Sequence, residues 1–244
     1  VAIVTGASKG IGEAIARGLA EFGASVVVSS RKQEAVEAVA ERFRRDGLDA
    51  TAVACHVGDG NQITALVEKT VENYGGVDIL VNNAAINPVY GPIQDAEETL
   101  FDKIMGVNLK GPFELCRRVY PVMKQRGGGS IINISSVAGV KPDAGLGLYS
   151  ISKAGLISLT QVLAKEWGKD GIRANVICPG LIQTKFSAAL WQNEALVKFL
   201  EQYLPLHRIG QADEIAGLAV YLASPASSYC TGAIFFADGG QMIM

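Results

Sequence analysis

Short runs of apolar, mostly β-branched residues recur along the chain at 2–4, 25–28, 50–54, 79–81, 130–134, 173–177 and 233–236. They are apolar on successive residues rather than alternately, the pattern of strands covered on both faces in a parallel sheet. Between them the period lengthens. Ile11, Ile15, Leu19 and Phe22 recur at steps of four and three and give one segment an apolar helical face. The same reasoning predicts helices at 33–46, 60–73, 97–126, 148–168, 187–203 and 211–223. Strict alternation of strand and helix argues for βαβ units with right-handed crossovers, which place helices on both faces of the sheet. The expected fold is therefore α/β, a doubly wound parallel sheet of seven strands.

No Pro- or Ser-rich linker interrupts this alternation, so residues 1–244 read as one domain. The segment 181–205 carries Phe186, Trp191, Phe199 and Tyr203. In a doubly wound fold it stands above the carboxyl edge of the sheet, where ligands bind. It is either a helical pair packed over the core or a substrate lid.

Composition narrows the function classes. The chain has 244 residues, 49% hydrophobic and 19% charged, with a formal net charge of −2. A chain this long buries roughly three-quarters of the surface that it exposes unfolded, so its core needs neither disulfides nor a structural metal. The scattered charges leave no basic footprint for nucleic acid, and no apolar run approaches the ~20 residues needed to span a bilayer. The chain opens directly on Val1-Ala2-Ile3-Val4, with no secretory signal pattern, and the absent initiating Met suggests trimming. Cys55, Cys116, Cys178 and Cys230 fit no zinc or small-disulfide spacing. They read as buried thiols in a reducing cytoplasm, and no metal site is expected. The 28 glycines are a surplus without a repeat.

Some of that surplus lies at the first strand-to-helix junction, Thr5-Gly6-Ala7-Ser8-Lys9-Gly10-Ile11-Gly12. Gly6 suits a tight turn off the strand, Gly10 a close backbone approach to a ligand, and Gly12 close packing of helix on sheet. The helix that follows offers unpaired N–H groups and partial positive charge to a pyrophosphate. A purely structural turn is the competing reading. Lys9-Gly10-Ile11 lacks the Ser or Thr of a Walker loop, which disfavours ATP or GTP hydrolysis. About twenty residues on, where an acidic side chain would hold the free ribose hydroxyls of NAD, the chain has Ser30, Arg31 and Lys32 instead. A guanidinium fork matches a 2′-phosphate, and Lys9 and Lys32 add charge, so NADP(H) is the expected cofactor. The competing reading is a solvated basic turn.

Tyr149 and Lys153 lie one turn apart on a segment of helical pattern. A free tyrosine titrates near 10, and a cation one turn away, with an oxidised nicotinamide, favours the phenolate and lowers that pKa toward general acid–base use. Alone, such a pair is common on helices. Upstream, 130–134 runs out into Ser135 and Ser136 at the ligand edge, where Ser136 is placed to hold a substrate oxygen or serves as a turn hydroxyl.

Together, Thr5-Gly6 with Gly10 and Gly12, Asn82-Asn83-Ala84-Ala85, Asn108, Ser136, Tyr149 with Lys153, Pro179-Gly180 and Asp238-Gly239-Gly240 resemble the short-chain dehydrogenase/reductase family over nearly the whole chain. The resemblance implies a Rossmann fold and a small-molecule carbonyl or alcohol as substrate. It also implies that Tyr149 donates a proton to a carbonyl oxygen and that Lys153 binds the nicotinamide ribose. Ser136 would position the carbonyl, and Asn108 would hold a water that relays protons to Lys153. Asn83 and Ala84 would line the adenosine side, and Ile182 and Thr184, after Pro179 and Gly180, would close over the nicotinamide. A homotetramer is the family's usual state. By itself Asn108 reads only as an amide in a helical stretch ahead of Gly111-Pro112, a kink.

Ser30-Arg31-Lys32, Cys55-His56-Val57-Gly58 and Leu190-Trp191 look most like the NADPH-dependent carbonyl reductases that act on ketones and retinal, followed by the 3-oxoacyl-carrier-protein reductases. Two departures stand out. Ala85 replaces the family's usual Gly and implies a φ that Ala tolerates. His56 stands where an acidic residue often receives the adenine amine: either its neutral imidazole accepts that bond, or only the Val57 backbone meets adenine. His207 reads as a surface or interface residue. The alternatives to a ketone or aldehyde reductase are a carrier-protein reductase, with Lys185, Lys198 and Arg208 as a loose basic patch, and a catalytically silent NADP-binding sensor.

Overall fold

Alternate residues of the apolar strands are buried by different helices, which is why the strands show no polar face. The computed structural model describes residues 1–243. Strands β1 (Ala2–Thr5), β2 (Val26–Ser30), β3 (Ala50–Ala54), β4 (Ile79–Asn82), β5 (Gly129–Ile134), β6 (Ile172–Pro179) and β7 (Ile234–Ala237) form one sheet in the order β3-β2-β1-β4-β5-β6-β7. Every neighbouring pair is parallel. Ala2, Val4, Val26 and Val28 pack with α1 (Gly10–Glu21), α2 (Gln33–Arg45) and α9 (Asp213–Ala223). Ile3, Val27, Leu80 and Ile131 point the other way, toward α3 (Gly60–Tyr74), α5 (Gly111–Gln125) and α6 (Gly147–Trp167). The expected doubly wound sheet is therefore present. Edge strand β7 is the exception to double coverage, with Phe236 42% exposed.

A buried polar chain crosses this core. The Asn82 amide donates to Asn133 Oδ1 at 2.8 Å, the Asn133 amide to Thr160 Oγ1 at 2.8 Å, and Thr160 Oγ1 to the Leu156 carbonyl at 2.7 Å. These bonds tie β4 and β5 to α6, the helix that bears Tyr149 and Lys153. Buried amides are costly unless paired, so the chain also fixes which face of α6 meets the sheet.

Three expectations are corrected. The helix expected at 97–126 is α4 (Glu98–Met105), a π-helical turn at Gly106–Lys110, and α5. The backbone stays right-handed throughout, so Asn108 lies in a π turn rather than at a kink. The helix expected at 187–203 divides into α7 (Ala188–Trp191) and α8 (Glu194–Tyr203), because the Asn193 side chain caps a new start by accepting from the Leu196 amide. Phe22, expected on the apolar face of α1, follows the end of that helix and is 80% exposed. Cys55, Cys116 and Cys178 are buried, whereas Cys230 is partly open.

Asn133→Ala removes the central link of the polar chain and leaves the Asn82 and Thr160 groups short of a partner. We expect a loss of about 1–3 kcal/mol in urea unfolding, with the fold retained by circular dichroism.

Candidate active site

The strand order reverses between β1 and β4, opening a crevice at their carboxyl ends. There the Asn83 side chain donates to the Thr5 carbonyl at 2.9 Å and to that of Gly6 at 3.2 Å, and Thr5 Oγ1 receives the amides of Asn83 and Ala84. Gly6 adopts φ +66°, and a Cβ on it would lie 2.8 Å from Asn83 Nδ2. A Cβ on Gly12 would strike the same nitrogen. Both glycines therefore make room for Asn83, so Gly12 packs α1 onto the loop after β4 as well as onto the sheet. Gly10, at φ +61°, faces the Thr184 methyl. No side chain caps the start of α1, where Lys9 is the N-cap, and the amides following Ser8 and Lys9 toward Ile11 have no side-chain acceptor there. A phosphate group fits this cradle, which offers donors and no Cβ at its tightest points.

Beyond β2, Arg31 and Lys32 are exposed, as is Lys9, and none of the three side chains makes a hydrogen bond or ion pair among the described residues; Ser30 is partly buried beside them. Val57 is buried, and Gly111 lacks the Cβ that would strike its carbonyl. His56 is settled by one bond. Its Nδ1 accepts the Gly58 amide at 3.0 Å, so in the neutral ring Nε2 carries the proton and is a donor. In that tautomer neither ring nitrogen keeps a lone pair free for an outside donor. Ala85 has no positive φ, as the replacement of glycine requires.

The remaining groups meet at the ends of β5 and β6. Ser136 follows β5; its hydroxyl accepts the Ala138 amide at 3.1 Å and lies near enough to the Tyr149 phenol to act on its pKa. Lys153 is buried, donates from Nζ to the Ile134 carbonyl at 2.7 Å and lies 5.6 Å from the centre of the Tyr149 ring. Burial lowers its pKa to about 8. Burial also pushes the Tyr149 phenol up to about 12, against the lowering effect of the nearby Ser136 hydroxyl. The expected depression of the tyrosine by the lysine is thus absent in the protein alone. Lys153 directs a hydrogen bond to a carbonyl rather than to the phenol, so the depression needs the further positive charge of an oxidised nicotinamide. Gly139 lacks the Cβ that would press on the Lys153 backbone, and Ser135 Oγ donates to the Lys153 carbonyl at 2.9 Å.

Asn108 is tied on both sides. Its Oδ1 accepts the Ile86 amide at 2.8 Å, and its Nδ2 donates to the Ile86 carbonyl at 2.9 Å and to Ser152 Oγ at 3.1 Å. Ser152 Oγ in turn donates to the Tyr149 carbonyl at 2.7 Å. With both amide hydrogens used, a water at this position would have to bond the backbone of the π turn. Sequence reasoning missed Ser135, Ser152 and Cys178, a buried thiol beside Ser135, Ser136 and Lys153 whose pKa burial raises to about 11. Nothing in their spacing marks them: Ser135 reaches Lys153 across 18 positions, and Ser152 receives Asn108 across 44.

Pro179 ends β6, Gly180 sits against Asp238, and the chain then crosses the crevice. Ile182 is buried and pairs with Gly210. Thr184 reaches Gly10, and the Phe186 ring lies 6.2 Å from that of Tyr149. His207 is exposed, away from this cluster, with its Nδ1 against the Glu201 carbonyl. Among the described residues there is no cluster fit for a metal ion and no helix long and apolar enough to cross a membrane.

A dinucleotide crevice bordered by a serine, a tyrosine and a lysine defines a class of redox enzymes, and comparison with known proteins agrees. The family model described as enoyl-(acyl carrier protein) reductase matches residues 6–242. The chain belongs to the short-chain dehydrogenase/reductase family and is an oxidoreductase of that family. Dehydrogenase/reductase SDR family member 4 of Oryctolagus cuniculus is 43% identical, over 98% of this chain and 92% of that protein. Its counterpart in Sus scrofa is 45% identical, over 98% and 86%. The crystal structure of a gluconate 5-dehydrogenase from Burkholderia cenocepacia in complex with NADP and tartrate superimposes with a TM-score of 0.96 at 36% identity, covering 100% of this chain and 95% of that one.

The depressed Lys153 pKa has a thermodynamic signature. Between about pH 8 and the ordinary lysine value of 10.5 the unfolded chain binds more protons at this residue than the folded one, so Lys153 makes stability rise with pH across that window. Comparing urea midpoints of the wild type and Lys153→Met from pH 8 to 10 should show the wild type gaining on the variant as pH rises.

Proposed function

We propose that the chain transfers hydride between NADP(H) and a ketone or aldehyde, or the corresponding secondary alcohol, with Tyr149 as general acid and base. The observation that carries this reading is the meeting of the Tyr149 and Ser136 hydroxyls beside Lys153, next to a phosphate cradle flanked by unpaired cations. Gly6, Gly10, Gly12 and the α1 amides would hold the pyrophosphate, and Arg31, with Ser30, Lys9 and Lys32, would hold the 2′-phosphate. Val57, Asn83 and Ala84 would border the adenosine, and Ile182 and Thr184 the nicotinamide. When bound, the nicotinamide supplies or accepts the hydride.

Ser136 and Tyr149 would grip the carbonyl oxygen together, and Tyr149 would release its proton to that oxygen as charge develops on it. Lys153, still mostly charged near neutral pH with its pKa at about 8, would stabilise the resulting phenolate. Asn108, through Ser152, would hold the first turn of α6 so that the tyrosine keeps its place. NADP in the Burkholderia neighbour supports the cofactor, and the basic Arg31 turn supports it independently.

A carrier-protein reductase fits less well. Of the three basic residues that would meet an acidic carrier, Arg208 is already paired with Glu214 through two bonds of 2.6 and 2.8 Å, and Lys198 lies 4.0 Å from Glu194. Comparing a free ketone with its carrier-linked form tests the point.

Two substitutions test the main reading. Arg31→Asp should weaken NADPH binding by about 10- to 100-fold, the loss of a charge-assisted bond, and favour NADH; an enzyme that kept its full preference for NADPH would overturn the cofactor assignment. Tyr149→Phe should lower kcat for carbonyl reduction by about 10²- to 10⁴-fold while NADPH binding, followed by its fluorescence, changes little.

A further inference from the structure

Phe186 stands at the tip of a small hydrogen-bonded knot. The Thr184 amide donates to Ser187 Oγ at 3.2 Å, the Thr184 and Ser187 hydroxyls lie 3.1 Å apart, and the Ser187 hydroxyl donates to the Ile182 carbonyl. The Trp191 indole N–H closes the knot by donating to the Thr184 carbonyl at 2.7 Å. These bonds leave Lys185 and Phe186 outermost. Phe186 is 54% exposed, so its ring contributes little to the core; what the knot secures is its contact with the ring of Tyr149, at 6.2 Å and tilted by 42°.

That separation is too short to admit a flat group between the rings, because each stacked layer needs about 3.5 Å. A substrate bound for Tyr149 therefore displaces Phe186 or lies along its edge. A flat apolar substituent replaces the contact it disturbs. A hydroxylated substituent loses water against the ring and gains no partner there. Apolar side chains also stand open around the first turn of α6. Val89, Tyr90 and Ile93 are all more than half exposed, with Tyr90 laid over Gly145 and Ile93 over Gly147, the first residue of α6.

We propose that Phe186, held by the Thr184–Ser187–Trp191 knot, is a specificity-determining residue that favours carbonyl substrates bearing a flat apolar substituent over hydroxylated ones. The inference rests on the carbonyl-reductase reading above. It concerns which carbonyl is taken, whereas that reading concerns whether any is.

The test compares kcat/KM for phenylpropanedione, diacetyl and dihydroxyacetone with NADPH. In Phe186→Ala the preference for phenylpropanedione over dihydroxyacetone should fall about tenfold, the scale of one lost aromatic contact. Phe186→Tyr should keep the preference. Trp191→Phe, which loses the N–H but keeps a ring, should shift the preference the same way by about threefold, the scale of one hydrogen bond. NADPH affinity, measured by fluorescence, should stay level in all three variants, which separates a specificity effect from collapse of the crevice. A wild-type preference that survives Phe186→Ala overturns the inference and leaves the carbonyl reading standing. A wild type that reduces none of the three carbonyls overturns that reading, and the inference with it.

Discussion

The site depends on one close approach, that of the loop after β1 to the loop after β4. The Asn83 carboxamide fills the space between Gly6 and Gly12, and Thr5 anchors the residue by accepting its side chain at the carbonyl and its backbone amide at the hydroxyl. A methyl group at either glycine would occupy the volume of that amide. Because the approach is so tight, the start of α1 is aimed at the crevice with its donors unpaired, and the backbone at 83–86 runs along the crevice wall. Ile86 then meets Asn108, Asn108 meets Ser152, and Ser152 meets Tyr149. The glycine loop and the Tyr149 backbone are thus parts of one connected set of polar contacts.

The same set explains why the protein alone is not tuned for acid–base work. Lys153 donates a hydrogen bond to the Ile134 carbonyl, and Tyr149 is desolvated without a cation bonded to its oxygen. Burial disfavours the charged form of both, lowering the lysine to about 8 and raising the tyrosine to about 12. Added positive charge in the crevice shifts the tyrosine toward the phenolate and the lysine toward the free amine, so binding and chemistry are linked through the local field.

The strand pattern was legible because both faces of the sheet are covered, so continuous apolar runs announced each strand and the glycine loop fell at the first junction. Tyr149 and Lys153 were legible as a candidate pair only jointly with Ser136 and the loop, since four-residue spacing on a helix is common. Helix interruptions were hidden: the residues of the π turn at Gly106–Lys110 keep helical angles, and hydrophobic period alone does not register one extra residue in a turn. Phe22 was misjudged because it continues the period of α1 one step past the place where the helix stops. His56 needed the structure, because only the position of the Gly58 amide decides which ring nitrogen has a free lone pair.

The knot beneath Phe186 has a further property. Its side-chain bonds join residues three to seven positions apart, between Ile182 and Trp191. Such an arrangement is local in sequence, unlike the wall built on Asn108 and Ile86, which are 22 positions apart. Its links to the body of the protein are few: the pairing of Ile182 with Gly210, the Thr184 methyl on Gly10 and the ring on Tyr149. A short stretch of chain can therefore be exchanged between relatives as a self-bracing cassette, which lets the mouth of the pocket diversify while the redox machinery below stays unchanged.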